Sequence, residues 1–240
     1  IQVYQKALGE YIAHMDGDDF MLPGKLALQV QALDQNPDCT VCVHGMRQFD
    51  EHKSRYRKFR PLNVPKKSDA AFLLMNLPFF AHSSKMFRSA CQQDLELLSG
   101  EFIDCYLHIH HALKGKILYL PQPLGVYRFG LGRSTAAGSR SPGSAAYKTK
   151  MIKLAIDAIE YAGSKGFNEK IINQAKAKIY FEYSHYYLMQ KDFNQFRLLL
   201  DRSIRTARFG KSQAWFKRFS GVPWILFLLI RCRQIIRDAQ

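Results

Sequence analysis

Three carboxylates crowd into four residues near the start of the chain, in the run Asp16-Gly17-Asp18-Asp19. Carboxylates this close repel one another and raise each other's pKa unless a cation neutralises their charge. Hard oxygen ligands suit Mg²⁺ or Mn²⁺, and Mg²⁺ is often held by one or two carboxylates together with substrate phosphates. The spacing leaves two interpretations open: a site for a divalent cation and a diphosphate, or an acidic turn that caps the following helix.

The elements around this cluster place it at the end of a strand. The apolar run from Tyr11 to Met15 predicts a short buried strand, which the acidic residues end because they do not continue a buried strand. A helix is predicted from Lys25 to Leu33, where Leu26, Val30 and Leu33 recur at helical spacing. Ligands of open α/β sheets bind at strand ends, so the position suits a binding site.

Strands and helices alternate as far as residue 129, which predicts an α/β class. The further predicted elements are a strand at 40–46, a charged loop or hairpin at 47–67, a helix at 70–77, an extended segment at 79–87, a helix at 103–114, and two strands at 117–120 and 124–129 separated by prolines. Residues 136–146 are Gly- and Ser-rich and predict a flexible linker. Long helical patterns follow at 147–162, 169–189 and 193–206, so we predict three parts: 1–135, the linker 136–146, and a basic helical region 147–240.

Two ordered sets of motifs resemble glycosyltransferase family 2, whose members are inverting enzymes with an A-type nucleotide-sugar fold. Residues 7–19 (ALGEYIAHMDGDD) followed by residues 22–26 (LPGKL) resemble its central motif. Residues 104–107 (DCYL), 115–120 (GKILYL) and 123–128 (PLGVYR) resemble its acceptor half, and residues 82–88 (HSSKMFR) resemble the segment before its base helix. The resemblance covers about residues 5–135, so the expected fold is a partial A-type glycosyltransferase fold followed by an α-helical C-terminal extension.

The resemblance implies a role for each acidic motif. Asp16 and Asp18 are expected to hold Mg²⁺ or Mn²⁺ against the donor diphosphate. Asp19 and Arg128 are expected to help bind the nucleotide sugar, with Asp19 shaping the site. Asp104 is the expected general base, which removes a proton from the acceptor hydroxyl. From the residue alone, Asp104 is equally a helix-start carboxylate that the helix dipole favours.

Three departures from the family pattern bear on activity. Gly130 stands where many relatives carry a histidine two residues after the Tyr-Arg pair, and Ile103 stands where many carry a second acidic residue before the base. The nucleotide-recognition half of the family lies before the strand that starts at Tyr11, and only ten residues precede that strand here. We therefore expect a fragment or remnant without the base pocket, inactive or weakly active by itself.

The charge of the chain is concentrated in its second half. Among 240 residues, 35 Lys and Arg face 20 Asp and Glu, a net charge of +15; residues 1–130 carry only +2 of it and residues 131–240 carry +13. From residue 202 to 240, nine basic residues and one acidic residue flank the apolar run Trp224 to Ile230. Basic residues around an aromatic-rich apolar run suit an anionic membrane surface, while a terminal helix packed on the helical region explains them equally well.

Cysteine and histidine clusters offer weaker alternatives. Cys39 and Cys42 with His44 allow a zinc site, although buried free thiols are the commoner explanation. The predicted base helix carries three histidines that could orient the base, but we expect partly exposed helix histidines instead; they are His108, His110 and His111. The basic residues between 53 and 60 predict a solvated loop, and five cysteines without a regular framework indicate a reducing compartment.

Together these features predict a metal-dependent, inverting glycosyltransferase of the hexosyltransferase type, or a fragment of one. The expected donor is a nucleotide-diphospho-sugar, UDP-linked, and the expected acceptor is a hydroxyl of a glycan or a lipid-linked glycan in polysaccharide biosynthesis. The alternative is a non-catalytic remnant whose basic helical tail binds a membrane or a protein partner. No nucleic-acid recognition motif is present in the sequence, so no nucleic-acid partner is expected. The expected location is cytoplasmic, or peripheral on the inner face of the cell membrane.

Overall fold

The computed structural model of the chain describes Tyr4 and residues 6–92, 104–129 and 143–238. The chain divides into two compact units, residues 1–154 and residues 155–240. The boundaries predicted from the sequence, at residues 135 and 147, stay a prediction. Ile103, Gly130 and the predicted linker up to residue 142 lie outside the described residues.

The N-terminal unit combines strands and helices, as the alternating pattern predicts. Its strands are β1 (Tyr11–Ala13), β2 (Phe20–Met21), β3 (Cys39–Asp50), β4 (Arg55–Tyr56), β5 (Lys67–Ser68), β6 (Met86–Arg88) and β7 (Lys116–Phe129). Its helices are α1 (Lys25–Asp34), α2 (Ala70–Met75) and α3 (Asp104–Ala112), with 3₁₀ turns at His82–Ser84 and Ser89–Gln92. The mixed α/β class predicted from the sequence is confirmed.

The seven described strands form one mixed sheet. Five of them follow the order β1-β6-β3-β7-β2, while β4 pairs with β3 and β5 pairs with β7. The long strand β3 is central: it pairs with β7 in parallel and with β6 in antiparallel register. β1 pairs with β6, and β2 pairs with β7, both antiparallel. β1 and β2 are the first and last strands of this order. The segment that connects them contains the acidic residues 16–19 and therefore crosses the end of the sheet.

The core of this unit lies between α1 and the sheet. A buried cluster joins the helix to three strands through Leu33, Cys39, Cys42, Met86 and Leu118. Gln29 of α1 is fully buried and donates from Nε2 to two backbone carbonyl oxygens, those of Cys42 and Ser84, at 2.9 Å each. A buried amide with two such acceptors fixes the helix against β3 and the 3₁₀ turn.

Two predicted elements differ from the structure. β7 is one continuous strand and not two, although it contains Pro121 and Pro123. Its pairing with β3 shifts register on both sides of Gly45, and such an irregularity accommodates prolines that cannot donate to a regular ladder. The segment 79–87, predicted to be extended, contains the 3₁₀ turn His82–Ser84 before β6 begins.

The C-terminal unit is helical, as predicted. The helices from residue 143 onward are α4 (Gly143–Ser164), α5 (Glu169–Met189), α6 (Phe193–Thr206), α7 (Lys211–Phe219) and α8 (Pro223–Asp238). Asn168 and Asp192 cap the N-termini of α5 and α6, each accepting hydrogen bonds from backbone N–H groups of the first turn. Within the described part of the chain, no helix is both long enough and apolar enough to cross a membrane.

Candidate active site

Asp16 lies just beyond the end of β1 and is held by two neighbours. Its Oδ1 lies 3.0 Å from Nε2 of His14, and its Oδ2 accepts a hydrogen bond of 3.0 Å from the Ser83 hydroxyl. The backbone N–H of Asp16 donates back to Ser83 Oγ at 3.1 Å. The hydrogen bond with His14 is the main cause that lowers the pKa of Asp16 below its ordinary value. The carboxylate is therefore ionised and fixed in orientation.

Two histidines meet at this carboxylate from different parts of the chain. His14 and His82 place their ring centroids 3.7 Å apart. Tyr4 lies on the far side of His14, with its hydroxyl 2.6 Å from Nδ1. His14, Asp16 and His82 each offer one ligand atom, and these atoms lie within 4.8 Å of one another. Two imidazoles and a carboxylate at this spacing fit a divalent metal ion.

Asp104 faces the same place from the first turn of α3. Its Oδ1 lies 4.0 Å from Nε2 of His82, and 68% of its side chain is accessible. The protein atoms around the carboxyl exclude part of its water and so raise its pKa, and the negative charge of Asp16 raises it further. A carboxylate with a raised pKa at an accessible position has the properties expected of a general base.

A cleft of about 460 Å³ opens beside these groups. Asp16, His82 and Asp104 line one part of it, and residues of β3 line another. Further lining side chains include both polar and aromatic residues, namely His44, Gln48, Arg60, Phe79, Phe80, His108 and Tyr127. The cleft thus combines ionised groups with aromatic surfaces, a composition that suits a polar organic ligand.

The other predicted site residues lie beside the cluster and not in it. Asp19 accepts a 3.0 Å hydrogen bond from the backbone N–H of Arg128, while the Arg128 side chain donates from Nε to Glu51 Oε1 at 2.5 Å. Burial raises the pKa of Asp19. Asp18 is half-buried on the turn and is not one of the three grouped ligands found among the described residues. The structure therefore brings Asp16 and Asp104 to one cleft and ties Asp19 to β7.

Sequence reasoning assigned no role to His14, His82 or Lys85. The spacing of His14 and Asp16 carried a signal, because alternate residues of an extended segment share one face. His82 and Lys85 lie in the motif of residues 82–88, which resembles the family. No local pattern in the sequence indicates that His82 contacts Asp16, which lies 66 residues earlier. Lys85 is fully buried, and its Nζ has no hydrogen-bond partner in the described part of the chain. Burial lowers its pKa to about 7, against the opposite influence of the charges of Asp104 and Asp16.

The prediction of partly exposed histidines on the base helix is wrong. His108, His110 and His111 retain 2%, 2% and 0% of their accessible surface. His108 packs against Phe80 at 4.5 Å between ring centroids, and His111 stacks on Phe87 of β6 at 4.1 Å. Burial lowers the pKa of His108 and His111 well below the ordinary value, so both rings are neutral. They pack as aromatic residues because α3 lies against the sheet.

The cysteines of the N-terminal unit are buried free thiols. Cys39 and Cys42 are both fully buried, and burial raises the pKa of Cys42 to about 12. A thiol that stays protonated is a poor metal ligand. This agrees with the interpretation of the pair as buried core residues.

In the mixed α/β fold, β1 is followed by an acidic turn, and Asp16 of this turn lines the same cleft as the helix-start carboxylate Asp104, which agrees with a glycosyltransferase-like fold. Comparison with known proteins makes this specific. Residues 1–94 match the family model described as glycosyl transferase family 2. The resemblance of the chain to glycosyltransferase family 2 is therefore confirmed, and these residues carry it.

The chain is also similar, over part of its length, to several curated proteins. The chain is 36% identical over 127 residues to "Uncharacterized protein Rv1520" of Mycobacterium tuberculosis and, equally, to "Uncharacterized protein Mb1547" of Mycobacterium bovis. It is 33% identical over 90 residues to "Putative glycosyltransferase EpsE" of Bacillus subtilis. The first match covers 52% of this chain and 36% of each mycobacterial protein, and the second covers 38% of this chain and 31% of the Bacillus protein. The chain thus matches about a third of the length of these relatives.

Proposed function

We propose that this chain contains the cation-binding and acceptor-side portion of an inverting glycosyltransferase. The donor is a nucleotide-diphospho-sugar, UDP-linked, and the acceptor is a hydroxyl of a glycan or a lipid-linked glycan. The observation that supports this most is the meeting of Asp16 and Asp104 on one cleft, with His82 between them. The aromatic and polar lining of the cleft supports a carbohydrate as the acceptor, since sugar rings offer both C–H faces and hydroxyl groups.

The chemistry follows from the positions of the two carboxylates. Asp104 accepts the proton of the acceptor hydroxyl as its oxygen attacks the anomeric carbon from the side opposite the diphosphate. The bond from that carbon to the diphosphate oxygen breaks, so the configuration inverts. A bound Mg²⁺ or Mn²⁺ supplies charge stabilisation for the leaving diphosphate. Asp16 and Asp18 face the cation and diphosphate in this proposal, and Asp19 orients the turn through its hydrogen bond to Arg128.

A conservative substitution of the base tests the proposal in the full chain as it occurs in the cell. Transfer is measured with a panel of nucleotide sugars and glycan acceptors. Asp104→Asn keeps the size of the side chain and removes the proton acceptor, so kcat should fall by about 10²- to 10⁴-fold. Glu169→Gln is the matched control, because Glu169 is also a first-turn carboxylate but lies on α5.

The two variants separate the base role from a helix-dipole role. If Asp104 only stabilises its helix, both substitutions lower stability slightly and leave transfer unchanged. Unchanged turnover of Asp104→Asn, or the absence of transfer with every donor in the panel, would contradict the proposed function. Chelation followed by readdition of Mg²⁺ or Mn²⁺ tests the metal requirement, which fails if the chelated protein keeps its activity.

A second property is proposed for the C-terminal unit: binding to an anionic membrane surface. Trp224, Leu228 and Arg231 lie on one exposed face of α8 at i, i+4 and i+7, with 56% and 50% of the first two accessible. Leu229 is also exposed, at 47%. Large exposed apolar side chains beside basic residues fit a surface that is both apolar and negatively charged.

Vesicle sedimentation tests this second property. The protein should sediment with phosphatidylglycerol vesicles at low salt, sediment less at high salt, and not sediment with phosphatidylcholine vesicles. Trp224→Ser together with Leu228→Ser should abolish sedimentation. Leu198→Ser is the matched control, because Leu198 is also an exposed leucine but lies on α6. Leu226 of α8 is not a suitable control because it is fully buried. Equal sedimentation of the double variant and the control would contradict the proposal.

A further inference from the structure

The group formed by His14, Asp16 and His82 differs in its ligand chemistry from a pair of aspartates. It contains two nitrogen donors and one carboxylate, drawn from the end of β1 and from the 3₁₀ turn before β6. Imidazole nitrogen suits Fe²⁺, Co²⁺, Ni²⁺ and Zn²⁺, whereas Mg²⁺ is held by oxygen ligands. A site with two imidazole ligands should therefore differ more in its affinity for these metals and for Mg²⁺ than a site made only of carboxylates.

The three ligands are supported from behind. The Tyr4 hydroxyl, 2.6 Å from Nδ1 of His14, directs the opposite nitrogen of that ring toward Asp16. The Ser83 hydroxyl, 3.0 Å from Oδ2 of Asp16, leaves Oδ1 directed toward His14. Metal-binding histidines and carboxylates are commonly oriented by such outer hydrogen bonds, and the loss of one costs about 10- to 100-fold in metal affinity.

The burial and hydrogen bonding of His82 also favour a bound cation. His82 is 92% buried, since 8% of its side chain is accessible. Nδ1 of this ring is buried without a hydrogen-bond partner in the part of the chain that the structure describes. A histidine that only fills the core normally has hydrogen-bond partners for its buried ring nitrogens. His82 lacks one and lies beside an ionised carboxylate, so a metal-binding role explains it better than a packing role.

We propose that His14, Asp16 and His82 form a binding site for a transition-metal ion of the Fe²⁺ to Zn²⁺ range, in preference to Mg²⁺, and that each histidine contributes more to its affinity than Asp18. The site shares the cleft of the proposed function, and a metal bound in this way would serve that function in place of the Mg²⁺ or Mn²⁺ that the family resemblance implies. Three protein ligands leave the remaining coordination positions for oxygen ligands, such as water or a phosphate group. Because the inference concerns metal binding alone, its test needs no sugar transfer.

Calorimetric titration of the chelator-treated full chain with Zn²⁺ and with Co²⁺ tests the site. We expect one tight site per chain, which a hundredfold excess of Mg²⁺ does not displace. His82→Gln and His14→Gln should each weaken Zn²⁺ binding by about 10-fold or more, and Tyr4→Phe should weaken it less. Asp18→Asn should weaken Zn²⁺ binding less than either histidine variant does. His52→Gln is the matched control, because His52 is exposed on the turn after β3 and should leave binding unchanged.

A measurement on the unsubstituted protein guards against variants that fail to fold. Bound Co²⁺ shifts the N–H proton resonances of coordinating imidazoles far outside the ordinary NMR range, and two such signals are expected. Displacement by Mg²⁺, the absence of shifted imidazole signals, or a loss of affinity in Asp18→Asn as large as in His82→Gln would overturn the inference. A protein that binds Zn²⁺ in this way but transfers no sugar would overturn only the proposed function.

Discussion

Replacement of the buried Lys85 by methionine should stabilise the N-terminal unit. The Lys85 side chain is fully buried, and its Nζ has no hydrogen-bond partner among the described residues. An ammonium in this position pays a desolvation penalty that one hydrogen bond or ion pair would reduce. Methionine keeps a long unbranched apolar chain of similar volume and removes the charge.

The size of the effect follows from the pKa of the amine. Burial lowers this pKa from 10.5 to about 7. Each pKa unit corresponds to about 1.4 kcal/mol, so at pH 7, where the amine is half protonated in the folded protein, the penalty is about 4 kcal/mol. The unfolded chain binds more protons than the folded protein between pH 7 and 10.5, so the stability of the unsubstituted protein rises with pH over this window. The penalty is fully present below pH 7 and vanishes above 10.5.

Two probes allow the two units to be followed separately during urea unfolding. Both tryptophans, Trp215 and Trp224, belong to the C-terminal unit, so their fluorescence reports its unfolding. The buried cysteines belong to the N-terminal unit, and their reactivity toward a thiol reagent reports its unfolding; they are Cys39, Cys42, Cys91 and Cys105. Cys232 is exposed and gives a constant background. A chelator removes the influence of any bound metal.

The expected result is a gain of up to about 4 kcal/mol in the thiol-detected transition of Lys85→Met at pH 7, a smaller gain at pH 9.5, and no change in fluorescence. Lys25→Met is a graded control: Lys25 is also buried, its pKa is lowered to about 8, and the same reasoning gives about 3 kcal/mol at pH 7. Lys67→Met, at an exposed lysine bonded to Asp38, should give no gain. The reasoning is refuted if Lys85→Met is no more stable than the unsubstituted protein, or keeps its rise in stability with pH.

Three further predictions concern the site and each unit. The acidic limb of the pH dependence of kcat/KM should lie above the ordinary aspartate range, because the base must be ionised and the pKa of Asp104 is raised by burial and by Asp16; a limb at the ordinary value in a pH–rate profile would argue against Asp104. Gly45→Ala should cost about 1–3 kcal/mol in the thiol-detected transition, because the added Cβ would lie 2.9 Å from both a ring carbon of Phe59 and the backbone oxygen of Pro121; full stability would contradict this clash. Ser203→Ala removes a 2.6 Å hydrogen bond to the carbonyl of Ala177 and the acceptor of a 2.8 Å hydrogen bond from Gln213 Nε2, so it should cost about 1–3 kcal/mol by tryptophan fluorescence; an unchanged fluorescence-detected transition would contradict this.

Local patterns predicted the elements, and contacts between distant residues decided the site. The helical spacing of Leu26, Val30 and Leu33 predicted the bounds of α1 almost to the residue but not its buried face. That face consists of Lys25, Gln29 and Leu33, while Leu26 is exposed. The strand predicted from Tyr11 to Met15 is shorter in the structure, where β1 ends at Ala13. No period in the sequence reveals that His82 meets Asp16, since their contact depends on how β6 pairs with β1.

Burial of polar residues was the other property that sequence could not supply. His108 and His111 alternate with apolar residues on α3, and a partly exposed helix has the same pattern as one packed on a sheet. β7 was divided at its prolines because proline disrupts a regular ladder. The irregular pairing beside Gly45 allows β7 to continue through its two prolines. That pairing involves β3, which lies some 70 residues earlier in the chain, so the sequence around the prolines does not reveal it.

The buried polar atoms without partners are unevenly distributed between the two units. Among described residues, every such atom belongs to a residue between 19 and 111, and none belongs to the C-terminal unit. Several come from residues that line the cleft or influence its carboxylates, including His44, His82, Lys85 and His108. An unpaired buried polar group costs about 1–3 kcal/mol, and a charge costs more, so a fold selected only for stability would lose them. At His108 the packing of the ring against Phe80 offsets this cost. At His82 a metal ion bound at the proposed site would offset it, because the ion would supply a partner that the described residues do not.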